Sequence, residues 1–99
     1  MIKLYDFIES IGYNNDLVIT KLSPILYRDR KIVEGSVQKI QKLMNNDADV
    51  KRRFKNLEVV QFYIEPATYI NELTTIEIFV QDKETRLARQ KEIKELKRG

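Results

Sequence analysis

Two stretches of the chain alternate apolar and polar residues with period two. Leu57 to Glu65 carries Val60, Phe62 and Ile64, and Leu73 to Gln81 carries Ile76, Ile78 and Val80. Successive side chains of a strand point to opposite faces, so each triplet predicts one face of a sheet that needs a cover of helices. In the second stretch Thr75, Glu77 and Gln81 are expected to face water, with Phe79 the apolar exception. The connection from Pro66 to Glu72 is too long for a tight hairpin turn. Tyr69 and Ile70 within it form a candidate contact surface, unless both fold back onto the sheet edge.

Helical spacing appears before and between these strands. Leu4, Phe7, Ile8 and Ile11 predict an amphipathic helix over 3–11, with Gly12 as its C-cap and a turn from Tyr13 to Asp16. The β-branched run Leu17-Val18-Ile19-Thr20 predicts a strand that Ser23-Pro24 breaks. Ile25-Leu26-Tyr27 resumes an extended pattern, Arg28-Asp29-Arg30 forms a hairpin tip, and the strand Lys31-Ile32-Val33-Glu34 ends at Gly35. Ser36 then caps a helix with Val37, Ile40, Leu43 and Met44 on its apolar side. Asn45-Asn46 interrupts it, and Asn46 or Asp47 caps a second short helix bearing Val50 and Phe54. Asp82 caps a last helix reaching to Lys97. There Leu87 and Ala88 lie opposite Ile93 and Leu96 on the wheel, so no single stripe forms and docking through the first turns is expected.

These elements predict an α+β fold: a small, mostly antiparallel sheet with helices packed on one face and a charged C-terminal helix. Residues 1–81 form a single domain, and 82–99 form the charged helix, partly projecting. A projecting charged helix is a familiar device for dimerisation or docking, so a homodimer is among the expected associations.

Composition narrows the function. The chain has 42% hydrophobic and 33% charged residues, which describes a globular domain with a heavily charged surface. It contains neither cysteine nor histidine, removing disulfides, thiolate chemistry, the commonest general base and the commonest transition-metal ligand. Glu58, Glu65, Glu72 and Glu77 show no paired-carboxylate or metal spacing, and Gly12, Gly35 and Gly99 are too far apart for a phosphate loop. No catalytic residue, cofactor or metal is therefore expected. No apolar run is long enough to cross a membrane and no signal peptide precedes the chain, so a cytoplasmic location is expected.

The net charge of +3 is unevenly spread. Lys39, Lys42, Lys51, Arg52, Arg53 and Lys55 form one basic cluster, and Arg86 and Arg89 belong to a second in the final helix. Such clusters meet nucleic acid, meet an acidic protein face, or are solvated helix surface. No helix-turn-helix, RNA-recognition or zinc pattern accompanies them, and few aromatics interleave with them. A protein-interaction module fits these absences better, with five tyrosines and several arginines suited to an interface. A small basic nucleic-acid-binding accessory protein is the alternative.

The order Leu4-Tyr5-Asp6-Phe7-Ile8, Asp16-Leu17-Val18-Ile19, Ile25-Leu26-Tyr27 and Gly35-Ser36-Val37 with Ile40 resembles small proteins of phages and conjugative elements in low-GC Gram-positive bacteria. The resemblance spans most of residues 3–81 and rests on hydrophobic pattern. It departs at Arg28-Asp29-Arg30, where a glycine turn is usual, and in the basic tail after Val80. Some neighbours of this type inhibit host defence, type II anti-CRISPR proteins among them. The resemblance implies a host protein or nucleoprotein as partner, such as Cas9 with its guide RNA. With a net positive chain, DNA mimicry is not the expected means. The partner-binding residues expected are Lys39, Lys42, Lys51, Arg52, Arg53, Lys55, Tyr69, Arg86 and Arg89.

Overall fold

A computed structural model describes residues 2–12, 15–23, 29–65 and 74–98, with side chains as far as residue 91. The elements are α1 (Leu4–Glu9), β1 (Asn15–Lys21), β2 (Arg30–Ser36), α2 (Val37–Asn46), α3 (Ala48–Asn56), β3 (Glu58–Glu65), β4 (Thr74–Gln81) and α4 (Lys83–Arg98). The strands form one sheet in the order β2-β1-β4-β3. β1 pairs antiparallel with β2, and β3 with β4, while β1 and β4 run parallel. The fold is α+β, and its sheet is mixed, with two antiparallel pairings flanking a parallel one.

The core lies on one face of the two central strands. Leu17 and Ile19 of β1 and Ile76, Ile78 and Val80 of β4 are buried there. They join Leu4 and Ile8 of α1, Val37, Ile40 and Met44 of α2, and Phe54 of α3 in one cluster. The three helices thus cover that face, as period-two alternation against period-3.6 stripes requires.

The expected cover of Val60, Phe62 and Ile64 is a correction. They are 45%, 48% and 60% exposed. Phe62 and Ile64 stand opposite Ile78 and Ile76, so they do lie on the helix-facing side. β3 is an edge strand rather than a central one, however, and the helical cover thins toward it. Phe7 of α1 meets Phe62 with ring centroids 5.1 Å apart. Val60 is the extra residue of a bulge between Val59 and Gln61. On the opposite face the Tyr63 and Phe79 rings meet nearly perpendicular with centroids 5.8 Å apart, while Gln81, expected in water, is buried.

Both predicted glycine roles also change. α1 ends at Ser10 in right-handed geometry, its amide donating to the Asp6 and Phe7 carbonyls, so Gly12 is not its cap. Gly35 does not end β2 but lies inside it at φ +156°, a conformation that side chains disfavour. Gly35→Ala is expected to cost about 1–3 kcal/mol through backbone strain, since the added Cβ would only touch Lys39 Cδ at 3.8 Å. A thermal melt indistinguishable from that of the parent would show that no strain arises. The expected strand pieces Ile25-Leu26-Tyr27 and Arg28, and the loop with Tyr69 and Ile70, lie outside the described residues.

The helix caps follow the expected chemistry. Ser36 Oγ accepts from the Lys39 amide at 3.2 Å. Asp47, extended at φ −122° and ψ 109°, separates α2 from α3 and accepts from the amides of Asp49 and Val50. Buried Gln41 donates to the Ile8 carbonyl at 2.9 Å, tying α2 to the end of α1. Leu43, expected on the apolar stripe, is instead 42% exposed.

Asp82 starts α4, its Oδ1 accepting from the Thr85 amide at 2.7 Å. Burial alone would raise its carboxyl pKa, but the Thr85 amide and hydroxyl and the Lys21 ammonium outweigh burial and hold it below 3.8. A lowered folded-state pKa stabilises the fold above the unfolded value, and that contribution disappears as pH falls below about 4. Asp82→Ala is expected to lose about 0.5–2 kcal/mol at neutral pH through the missing cap. Asp82→Asn should keep the cap and lose part of the acid sensitivity. Denaturant unfolding at pH 7 and pH 3 reads both, and equal acid sensitivity of parent and Asn variant would contradict the assignment.

Candidate interaction site

Helix α3 has only nine residues, Ala48–Asn56, and its basic residues fan out around it. Val50 and Phe54, four apart, turn toward the core. Lys51 and Lys55, also four apart, flank the neighbouring helix, their ammonium groups 5.6 and 5.1 Å from the Tyr5 ring centroid. Arg52 points outward and pairs with Asp49 at 3.1 Å. Arg53 takes the remaining flank and lines a cleft. The run Lys51-Arg52-Arg53 therefore does not form one patch.

The cleft lies where β2 meets α2 and α3 and has a volume of about 380 Å³. Ile32, Val33, Leu43, Val50, Phe54 and Leu57 supply its apolar lining, and Lys21, Arg30, Arg53 and Asp82 its charged lining. The bulge in β2 explains why adjacent residues both reach it. Val33 registers with Ile19 and Lys31 with Thr20, leaving Ile32 as the extra residue. A second depression of about 360 Å³ shares Val33 and Leu43 and extends the cleft along α2 past Lys39, Lys42 and Glu34. Together they make one basic, apolar-floored groove along the β2 edge.

The charges of this groove do not cancel. Asp82 is engaged by Lys21 at 3.4 Å, and Glu34 by Lys31 at 3.0 Å. Arg30, Lys39, Lys42 and Arg53 have no acidic partner among the described residues. Four cations beside apolar side chains form a surface suited to a partner that presents anionic and apolar groups together.

The expected set thus divides. Arg53 lines the first part of the groove and Lys39 and Lys42 its extension; Lys51, Arg52 and Lys55 stand on other sides of α3; and Tyr69 lies outside the described residues. Arg86 and Arg89 are each engaged by groups of the fold itself. Arg86 Nε faces the buried Glu58 carboxylate at 3.5 Å, with Lys3 Nζ 3.7 Å from its other oxygen. Arg89 donates to the Ser23 carbonyl at 2.7 Å and to Asp29 Oδ1 at 3.3 Å. α4 meets the rest of the fold through Thr85, Arg86 and Arg89, while Leu87 stays exposed.

Arg30 and Leu43 were not among the expected site residues. Arg30 reads as part of a hairpin tip and Leu43 as core; the signal that unites them is the extra residue Ile32, which no local pattern marks. Among the described residues no group of acidic side chains is placed to hold a metal ion, and no helix is long and apolar enough to cross a membrane. Comparison with known protein families, with curated proteins and with solved structures finds no match.

Proposed function

We propose that this chain is a non-enzymatic interaction protein whose groove takes an acidic, apolar-anchored segment of another protein or nucleoprotein. The observation that supports this reading is that Arg30, Lys39, Lys42 and Arg53, which have no acidic partner among the described residues, line the groove with Leu43, Val50 and Phe54. A duplex needs cations spread along a phosphate track, whereas these surround an apolar floor that a phosphate backbone cannot fill. A protein segment with one buried apolar anchor and flanking carboxylates fills both requirements. The hydrophobic-pattern resemblance adds that the partner is a host protein. In its most specific form the reading names a CRISPR–Cas effector as target and inhibition of host defence as outcome.

Charge reversal separates this reading from a nucleic-acid accessory protein. On the proposed reading Arg53→Glu weakens partner binding, whereas the pair Lys51→Glu and Arg52→Glu leaves it within about twofold. Duplex DNA and single-stranded RNA titrated by fluorescence anisotropy should bind only weakly and lose affinity steeply with salt. Tight nucleic-acid binding that Lys51, Arg52 and Arg53 support equally would overturn the proposal.

A further inference from the structure

We infer that β3 pairs with β3 of a second copy of this chain, antiparallel about a two-fold axis through Tyr63. The inference is independent of the groove, which lies along the opposite edge of the sheet. An edge strand presents alternate amides and carbonyls away from its one neighbour, and proteins usually blunt such edges with charge. β2, the other edge, carries Arg30, Lys31 and Glu34. β3 has no charged residue from Val59 to Ile64 and exposes Phe62, Tyr63 and Ile64.

The start of β3 is already covered. The Val59 amide donates to the Ile2 carbonyl at 2.9 Å, and the Leu57 carbonyl accepts from the Leu4 amide at 2.8 Å. The bulge at Val60 then separates this covered part from a regular stretch, residues 61–65, whose midpoint is Tyr63.

The occupant follows from that stretch read against itself. A two-fold axis at Tyr63 sets Phe62 opposite Ile64 of the other copy, Tyr63 opposite Tyr63, and Gln61 opposite Glu65. No like charges oppose, each carboxylate faces an amide, and the apolar pairs lie on the helix-facing side where Phe7 already packs on Phe62. Moving the axis to Phe62 would set Glu65 against Val59, whose amide is taken. The contact is isologous and closes after two copies, so it yields a dimer of continuous sheet rather than a fibre.

Sedimentation equilibrium across micromolar concentrations tests this. The parent is expected to approach twice its 11.8 kDa mass. Ile64→Lys, an exposed site, should raise the dissociation constant at least tenfold with unchanged circular dichroism. Because the chain has no cysteine, single introduced thiols report the register. Tyr63→Cys should oxidise to a covalent dimer, since opposed Cα atoms lie about 4.5–5.5 Å apart. Ile64→Cys should not, because its copy lies a further two residues along the partner strand. A parent that stays at its monomer mass, a dimer indifferent to Ile64→Lys, or equal crosslinking at both sites would overturn the inference. If Ile64→Lys fails to fold, the two cysteine variants decide.

Discussion

Ile78→Ala is expected to lower folding stability by about 2–5 kcal/mol, the cost of deleting a fully buried branched side chain and leaving a cavity. Ile78 has no solvent exposure, lies on a central strand, and stands beside Ile19 on one neighbour and Phe62 on the other. A domain of this size is stabilised by roughly 5–15 kcal/mol in total, so the loss is a large fraction of the whole. Urea unfolding measures it directly. Ile64→Ala, on the same face but at the exposed edge, should cost less than about 1 kcal/mol in the monomer, because its side chain gives up little buried area. Similar losses at the two positions would mean that the helices cover β3 after all.

The second large effect concerns binding. Arg30→Glu combined with Arg53→Glu should weaken the partner by about 2 kcal/mol or more, roughly 30-fold, since interface arginines beside apolar pockets commonly carry that much. Leu43→Glu tests the apolar floor. Leu43 is half exposed, so a carboxylate there leaves the core intact while introducing charge where the anchor must bury. Both variants should melt near the parent temperature. Lys51→Glu, on the Tyr5 side of α3, serves as the control and should bind as the parent does. Titration calorimetry on the captured partner reads all three. Equal weakening by Lys51→Glu and by the groove variants would show a diffuse electrostatic contact rather than a groove.

The contrast between Ile78 and Phe62 also shows how far the sequence carries the fold. Both sit in alternating runs, and alternation does predict their strands and their common face. It says nothing about which strand has neighbours on both sides, because strand order arises from pairings between residues far apart. The parallel contact of β1 with β4 makes those strands central and leaves β3 at the edge. Caps were legible for the opposite reason. Ser36, Asp47 and Asp82 act on amides two or three residues away, so local chemistry suffices.

The same distinction governs the site. Arg89 reads as one cation in a basic helix, yet its acceptors Ser23 and Asp29 lie 66 and 60 residues back along the chain. Arg53 reads as the end of a basic run. Its separation from Lys51 and Arg52 follows from helical geometry, which turns adjacent residues about 100° apart and sends each to a different neighbour. The groove itself depends on the Ile32 bulge, which aims two successive apolar side chains at one cleft and has no local signature in Lys31-Ile32-Val33-Glu34.

Whether the groove, and no other basic surface, binds a protein is read by affinity capture from a nuclease-treated Gram-positive host lysate, run in parallel with the parent, the Arg30→Glu/Arg53→Glu variant and Lys51→Glu, and analysed by mass spectrometry. One protein is expected to be retained after nuclease by the parent and by Lys51→Glu, and lost from the groove variant. Disappearance of every partner on nuclease treatment, or retention of the same protein by the groove variant, would contradict it.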